Sequence, residues 1–322
     1  VDKDFLNTLS SAMGPMKQLF ILIALLCCAT DVLAQQQPVP IRTERIPIFN
    51  GDTLMRHHFP AFESLPARWV DVWLPKNAMA SGPMALLLAQ DGQNIFDPST
   101  AYGGQSWELH VAVRRLLYSQ QIKPCVVVGI WNTPNRFNEY LPSPAIVGLD
   151  TAAFAILKAE RTAAPQSDAY AAWIDQVLMP FLTANYPISQ AAEDRFLIGA
   201  SMGGLISSYL LAKLPTQFGG AMCLSTHWPL SLKRNELAFS APYRSWLLKQ
   251  MPVLQHKRLY MDHGDLTLDS FYAIHQQAFD AAWNSKTAFP ANYRSLSFEQ
   301  AAHNEVSWRE RLHLPLLFML GQ

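Results

Sequence analysis

This sequence is short of charge. Only 16% of its 322 residues are Asp, Glu, Lys or Arg, and the 25 basic and 25 acidic side chains cancel. A balanced chain carries no electrostatic footprint for a phosphate backbone or an anionic bilayer, so nucleic acid is set aside as a partner. Cysteine is scarcer still, with four residues in all. Cys27 and Cys28 fall in an N-terminal apolar run; Cys125 and Cys223 sit in apolar stretches that read as buried strands. Two cysteines make no disulfide framework, and both are expected as small core residues. Metal-ligand spacing is lacking as well: there is no H-E-x-x-H, and adjacent His57 and His58 direct their rings to opposite faces of a strand. No metal is expected.

A membrane-spanning run is also missing. The apolar stretch 19–28 is much shorter than the ~20 residues that cross a bilayer. Lys17 precedes it, Asp31 interrupts its continuation, and Val32-Leu33-Ala34 puts small residues at the −3 and −1 positions of a cleavage site, which is the layout of a secretory signal. Leu26 before Cys27 argues against lipid attachment. The expectation is that Met16 is the start, residues 1–34 are upstream sequence and signal peptide, and cleavage follows Ala34. A polar, proline-bearing lead-in then covers 35–40 and one α/β domain covers 41–322, in a periplasmic or secreted protein with no stable membrane insertion.

What the chain does have is apolar surface, 50% of its residues, arranged with two periods. Stretches 54–62 and 68–74 alternate apolar and polar side chains around a turn at 64–66, which predicts a half-buried antiparallel edge. Stretches 84–90 and 125–130 are continuously apolar and are separated by helical spacing over 107–118. That pattern predicts parallel strands covered on both faces. It continues as helix 170–185, strand 196–198, helix 205–214, strand 221–224, strand 259–262, helix 270–283, strand 293–298 and a closing helix from about 305. Two longer connections, 131–170 and 225–257, follow strands and should form the rim or lid of a pocket. They make Trp131, Arg136, Tyr140, His227 and Trp228 the candidates for substrate contact.

The rest is organised around residues 195–215, RFLIGASMGGLISSYLLAKLP. A short apolar strand ends in Gly199-Ala200-Ser201-Met202-Gly203 and an amphipathic helical pattern follows, so the G-x-S-x-G has the strand–turn–helix context its chemistry requires. Ser201 is the candidate nucleophile. A serine hydroxyl needs a general base and a group to orient that base. Of nine histidines, His303 lies in the loop between the last strand and the last helix, where the order serine, acid, histidine places the base. The acid is sought in LYMDHGDLTLDSFY, where Asp262, Asp265 and Asp269 compete. An oxyanion hole needs two backbone N–H groups: that of Met202, after the nucleophile, and that of Gln93, in a loop where Gly92 is expected to let the backbone turn its amides inward.

With these residues in place the chain resembles the esterase family of the α/β-hydrolase class that includes enterochelin-esterase-like enzymes, esterase D and bacterial feruloyl esterases. The resemblance covers residues from about 68 to 315 and rests on LLLAQDGQNIFD, VVVGIWNTPNRFNEYLP, FLIGASMGGLISSYL, LSTHWP, LYMDHGDLTLDSFY and HNEVSWRERL. It implies a mostly parallel sheet with an antiparallel N-terminal edge, Ser201 as nucleophile and His303 as base, and ester hydrolysis without metal or organic cofactor. It also implies an acid a few residues beyond Gly264, which favours Asp269 with Asp265 as the alternative. A carboxylate opening a helix there is expected to be held by the helix's first N–H groups. The expected activity is a serine carboxylic ester hydrolase on a small-molecule or oligosaccharide ester such as an acylated sugar, feruloyl-type or siderophore ester. An acyltransferase with the same triad, or an inert binding protein on the same fold, are the alternatives.

Overall fold

Nine strands form one mixed sheet in the computed structural model, which describes residues 39–48, 51–76, 78, 82–160 and 164–322. The expected signal peptide and residues 35–38 of the lead-in lie outside the described residues. The fold is that of Pro40–Gln322.

The strands are β1 (Arg42–Ile46), β2 (Thr53–Phe59), β3 (Arg68–Leu74), β4 (Ala85–Ala89), β5 (Cys125–Ile130), β6 (Arg195–Ala200), β7 (Gly220–Leu224), β8 (Arg258–His263) and β9 (Tyr293–Ser297). Their order is β1-β2-β3-β5-β4-β6-β7-β8-β9. β1, β2, β3 and β5 pair antiparallel in turn. From β5 across β4 to β9 every pairing is parallel. The antiparallel edge is one strand wider than expected, because β1 is mostly exposed and carries little of the burial period by which a strand is read. Since β4 lies between β5 and β6, the direction of winding reverses there, and the crevice at its carboxyl end is where an open α/β sheet takes a ligand.

Alternate side chains of each central strand feed two cores. Leu86, Leu88, Val126, Val128 and Leu197 join one, and Leu87, Ala89, Val127, Phe196 and Ile198 the other. Cys223 belongs to the first and Cys125 to the second; both are free thiols, pushed up by burial. The second core is closed by α1 (Leu109–Tyr118), and by the two closing helices named last below. Over the first lie the helices of the long connections. The first connection folds into α2 (Arg136–Tyr140), α3 (Ser143–Val147) and α4 (Thr151–Glu160). The helix expected over 170–185 runs as α5 (Ser167–Trp173), one π turn (Ile174–Leu178) and α6 (Met179–Asn185). Pro180, with no N–H to give, stands at the start of the third piece.

The helix after Ser201, α7 (Met202–Lys213), is buried along the whole of Met202–Leu211 rather than amphipathic. The reason is that Tyr243 and its helix α8 (Leu237–Lys249), followed by α9 (Met251–Leu254), lie over it: the Tyr243 hydroxyl bonds Ser208 Oγ at 2.8 Å and the Leu205 carbonyl at 3.2 Å. Much of the second long connection therefore roofs the nucleophile helix instead of building a pocket rim, whereas the first contributes Asn132 and Arg136 to the cavity described below. Three helices complete the chain, α10 (Ala273–Asn284), α11 (Glu305–Arg311) and α12 (His313–Leu320).

Candidate active site

Ser201 follows β6 with φ 59° and ψ −125°, a conformation that costs a non-glycine residue on the order of 1–3 kcal/mol and persists only where the surroundings impose it. Its N–H donates to the Leu224 carbonyl at 2.9 Å, and its carbonyl accepts from Leu205 N at 3.1 Å and His227 N at 3.2 Å. The flanking glycines have a steric reason. A Cβ on Gly199 would lie 2.4 Å from the Gly203 carbonyl, and one on Gly203 would lie 3.2 Å from Asp91 Oδ2 and from Gln90 Cβ. Strand and helix close on one another only with a hydrogen at Gly199, and at Gly203 a side chain would press on the loop after β4.

The loops after β8 and β9 run side by side. Leu266 bridges Ala302, Asp265 N and Leu266 N both donate to the Ala301 carbonyl, and Thr267 Oγ1 accepts from His303 N at 2.8 Å. This juxtaposition brings His303 Nδ1 to 2.5 Å from Asp269 Oδ1. Asp269 is fully buried. Burial pushes its carboxyl up, but hydrogen bonds from His303 and Ser225, the His303 charge and the Gly264 N–H outweigh burial and hold it below the usual aspartate range. The expected anchoring by a helix N-terminus is not what holds it. Asp269 sits inside a 3₁₀ turn (Thr267–Phe271) ahead of α10, and its Oδ2 takes the Gly264 N–H and the Ser225 hydroxyl, each at 2.6 Å. Asp265 is exposed, whereas Asp262 is buried and bound through both oxygens by Arg311.

Ser201 and His303 line one cavity of about 470 Å³ together with Asp91, Gln93, Asn94, Tyr102, Trp107, Asn132, Arg136, Glu305 and Trp308. Its polar wall is cross-tied. Asp91 takes Arg136 Nε at 2.6 Å and Nη2 at 2.8 Å, and Asn132 Nδ2 at 2.6 Å. Gln93 Oε1 accepts from Asn132 N at 3.1 Å. Glu305, half-buried opposite, is raised by desolvation. The loop that carries Gln93 turns differently from expectation: Asp91, not Gly92, takes the left-handed conformation, at φ 56°. Gly92 is needed for approach, since a Cβ there would lie 2.4 Å from the Gly129 carbonyl of β5.

Of the five candidates for substrate contact, Arg136 alone lines this cavity. Trp131 donates from Nε1 to Asp71 at 3.0 Å and lies under the Arg56 guanidinium, so it braces the β2–β3 edge. Tyr140 is buried, accepting from Asp91 N at 3.2 Å beneath Arg136. Trp228, 1% exposed, packs on Tyr243 and Phe279 and donates to Gln276 Oε1 at 2.9 Å. His227 is buried with Nδ1 2.8 Å from the Tyr272 hydroxyl. That phenol is also a hydrogen-bond neighbour of the Ser201 side chain, and burial together with the Asp269 charge keeps it neutral. The aromatic wall of the cavity comes instead from Trp107 and Trp308. Trp308 and Glu305 lie in the stretch HNEVSWRERL, five and two residues beyond His303, and their spacing from the histidine was the available signal.

A family model described as "Putative esterase" matches residues 67–319. The chain belongs to that family. A protein of Bacillus subtilis (strain 168), "Uncharacterized protein YbbA", is 27% identical over 157 residues, 48% of this esterase-family chain and 54% of its own. The match thus spans about half the length of that relative. Among solved structures, a ferulic acid esterase superposes with a TM-score of 0.57 at 15% identity, over 84% of this chain and 99% of its own. The enterobactin esterase FES of Shigella flexneri gives 0.59 at 18%, over 89% and 63%. An IroE-like serine hydrolase of Shewanella oneidensis gives 0.57 at 17%, over 83% and 78%. At these identities the likeness is one of fold. The architecture is the α/β-hydrolase sheet with an antiparallel N-terminal edge.

Proposed function

We propose that this esterase works through a Ser201–His303–Asp269 triad and an acyl-enzyme. The observation that carries the reading is the 2.5 Å bond from His303 Nδ1 to a buried, ionised Asp269, with His303 and the strained Ser201 facing one cavity. A proton held on Nδ1 by the carboxylate leaves the Nε2 lone pair as the base. His303 takes the Ser201 proton as Oγ bonds to the ester carbonyl carbon. The oxyanion is received by the N–H groups of Met202 and Gln93. His303 then protonates the departing alcohol, and a water molecule, activated by the same nitrogen, releases the acid and restores Ser201.

The cavity suits a compact ester whose polar substituents meet Asn132, Arg136 and Glu305 and whose flat portion lies against Trp107 and Trp308. An acylated sugar, a feruloyl-type ester or a siderophore ester has this make-up, and the ferulic acid and enterobactin esterases among the structural neighbours support that range. The leader-like residues 16–34 support an extracytoplasmic site of action. The test is a panel of esters varied in acyl and alcohol parts, together with labelling by a fluorophosphonate, against Ser201→Ala as blank. Labelling and turnover are expected in the native protein only. Folded native protein that neither labels nor turns over any ester would leave a binding protein, and transfer to added alcohols in preference to water would make it an acyltransferase.

A further inference from the structure

The Ser225 hydroxyl lies behind the proposed acid, on the side away from His303. Ser225 is fully buried and directly follows β7 in the left-handed region, at φ 43°. Its Oγ has three neighbours: Asp269 Oδ2 at 2.6 Å, Trp308 Nε1 at 2.9 Å and Arg311 Nη2 at 2.9 Å. Indole and guanidinium nitrogens can only donate. They occupy both lone pairs of the serine oxygen, so its single proton has one place to go, the Asp269 carboxylate. Arg311 is itself fixed, with Nε and Nη2 on the two oxygens of Asp262 at 3.1 and 3.0 Å, and the Ser225 N–H donates to Asp262 Oδ1 at 3.1 Å.

From this arrangement we infer that Ser225 is a positioning residue, a one-way hydrogen-bond donor that orients Asp269 and opposes its protonation. With Ser225 and Gly264 both donating to Oδ2, a proton on that oxygen would face two donors. The carboxylate is therefore kept as an acceptor, and Oδ1 holds the proton of His303 on Nδ1. The buried Asp262–Arg311 pair, which touches no cavity-lining nucleophile or base, acts on the site through Ser225, holding its N–H and its hydroxyl oxygen. The inference rests on the triad proposed above.

Ser225→Ala removes the donor and leaves Oδ2 with the Gly264 N–H alone. The carboxylate becomes more basic and steadies the imidazolium, so the acid limb of the kcat/KM profile should move to higher pH. We expect kcat to fall about 10–100-fold, by analogy with losing the hydrogen-bond partner that orients a metal-bound side chain, with KM within about twofold. The downfield proton resonance of the His303 Nδ1–H should shift. Ser225→Gly suits the left-handed backbone, keeps the fold if alanine does not, and should show the same losses. Ser225→Cys, a weak donor of similar size, should recover part of the rate. Folded alanine or glycine variants with kcat within about threefold of native and an unmoved acid limb would overturn the inference, as would a lowered melting temperature without either change. Asp269→Asn run alongside separates the two readings: if it is fully active the acid is misassigned, and if it is inactive while Ser225→Ala is normal, the positioning role alone fails.

Discussion

Asp262 of β8 and Asp265 and Asp269 of the loop after it lie within eight residues of one another, and their surroundings assign each a different response to the same change, Asp→Asn. At Asp269 the carboxylate accepts from His303, Ser225 and Gly264, and an amide must turn its NH₂ toward one of these donors. Facing His303, it selects the tautomer with the proton on the wrong nitrogen, which costs about 10⁴ in turnover; facing the other two, it leaves a buried donor unmade at about 1–3 kcal/mol. At Asp262 the loss is of structure. Arg311, 4% exposed, would be left with its charge buried and unpaired, a deficit of about 3–5 kcal/mol. At roughly 2–4 °C per kcal/mol for a domain of this size, the melting temperature should drop by about 10 °C. At the exposed Asp265 both quantities should stay close to native, within about 0.5 kcal/mol. The assay is kcat on the best ester of the panel, well below every transition, beside thermal melts monitored by circular dichroism. A fall in kcat of several orders in Asp265→Asn, or near-native turnover in folded Asp269→Asn, would refute the assignment.

Trp228→Ala should lower stability by about 3–5 kcal/mol through the cavity it leaves, with relative kcat/KM values across the ester panel unchanged; altered ester preference would put Trp228 at the pocket after all. Gly264→Ala places a Cβ 2.1 Å from the Ala301 carbonyl, so the loop carrying His303 must shift. Since a displacement of about 1 Å can cost 10²-fold, kcat should fall by more than tenfold; native kcat would mean that the loop is not held by this contact. His57, by burial, and His110 and His275, by burial and the nearby charges of Arg114 and Arg244 respectively, are held neutral down to about 4. Because the unfolded chain binds these protons at about pH 6.5, the stabilisation is complete above that pH and is lost as pH falls toward 4, at up to about 3 kcal/mol per histidine. Melting temperature should therefore drop between pH 6.5 and 4.5, less steeply in His57→Gln, and a flat profile would contradict burial of the neutral rings.

Much of this protein is written locally. The two-residue alternation of 68–74, the continuous apolar runs of β4 and β5 and the helical spacing between them each depend on neighbours within a few residues, which is why a parallel sheet with an antiparallel edge is legible from sequence. The turn at Ser201 is legible for the same reason, because the glycines that admit it stand two residues to either side. β1 is not, because a largely exposed strand leaves no burial period to read. What only the tertiary structure decides is which distant groups meet. Asp269 becomes the partner of His303 because two loops 34 residues apart run side by side. Arg136 reaches the cavity because Asp91, 45 residues earlier, clamps it. Trp228 is turned into the core because α8 and α10 close over it, and no spacing within LSTHWP says so. The hydroxyl of Ser225 acquires its direction only when Trp308 and Arg311, more than eighty residues downstream, fill its lone pairs. A hydrogen bond between remote segments depends on the packing of everything between them, and that packing is a property of the assembled sheet and helices.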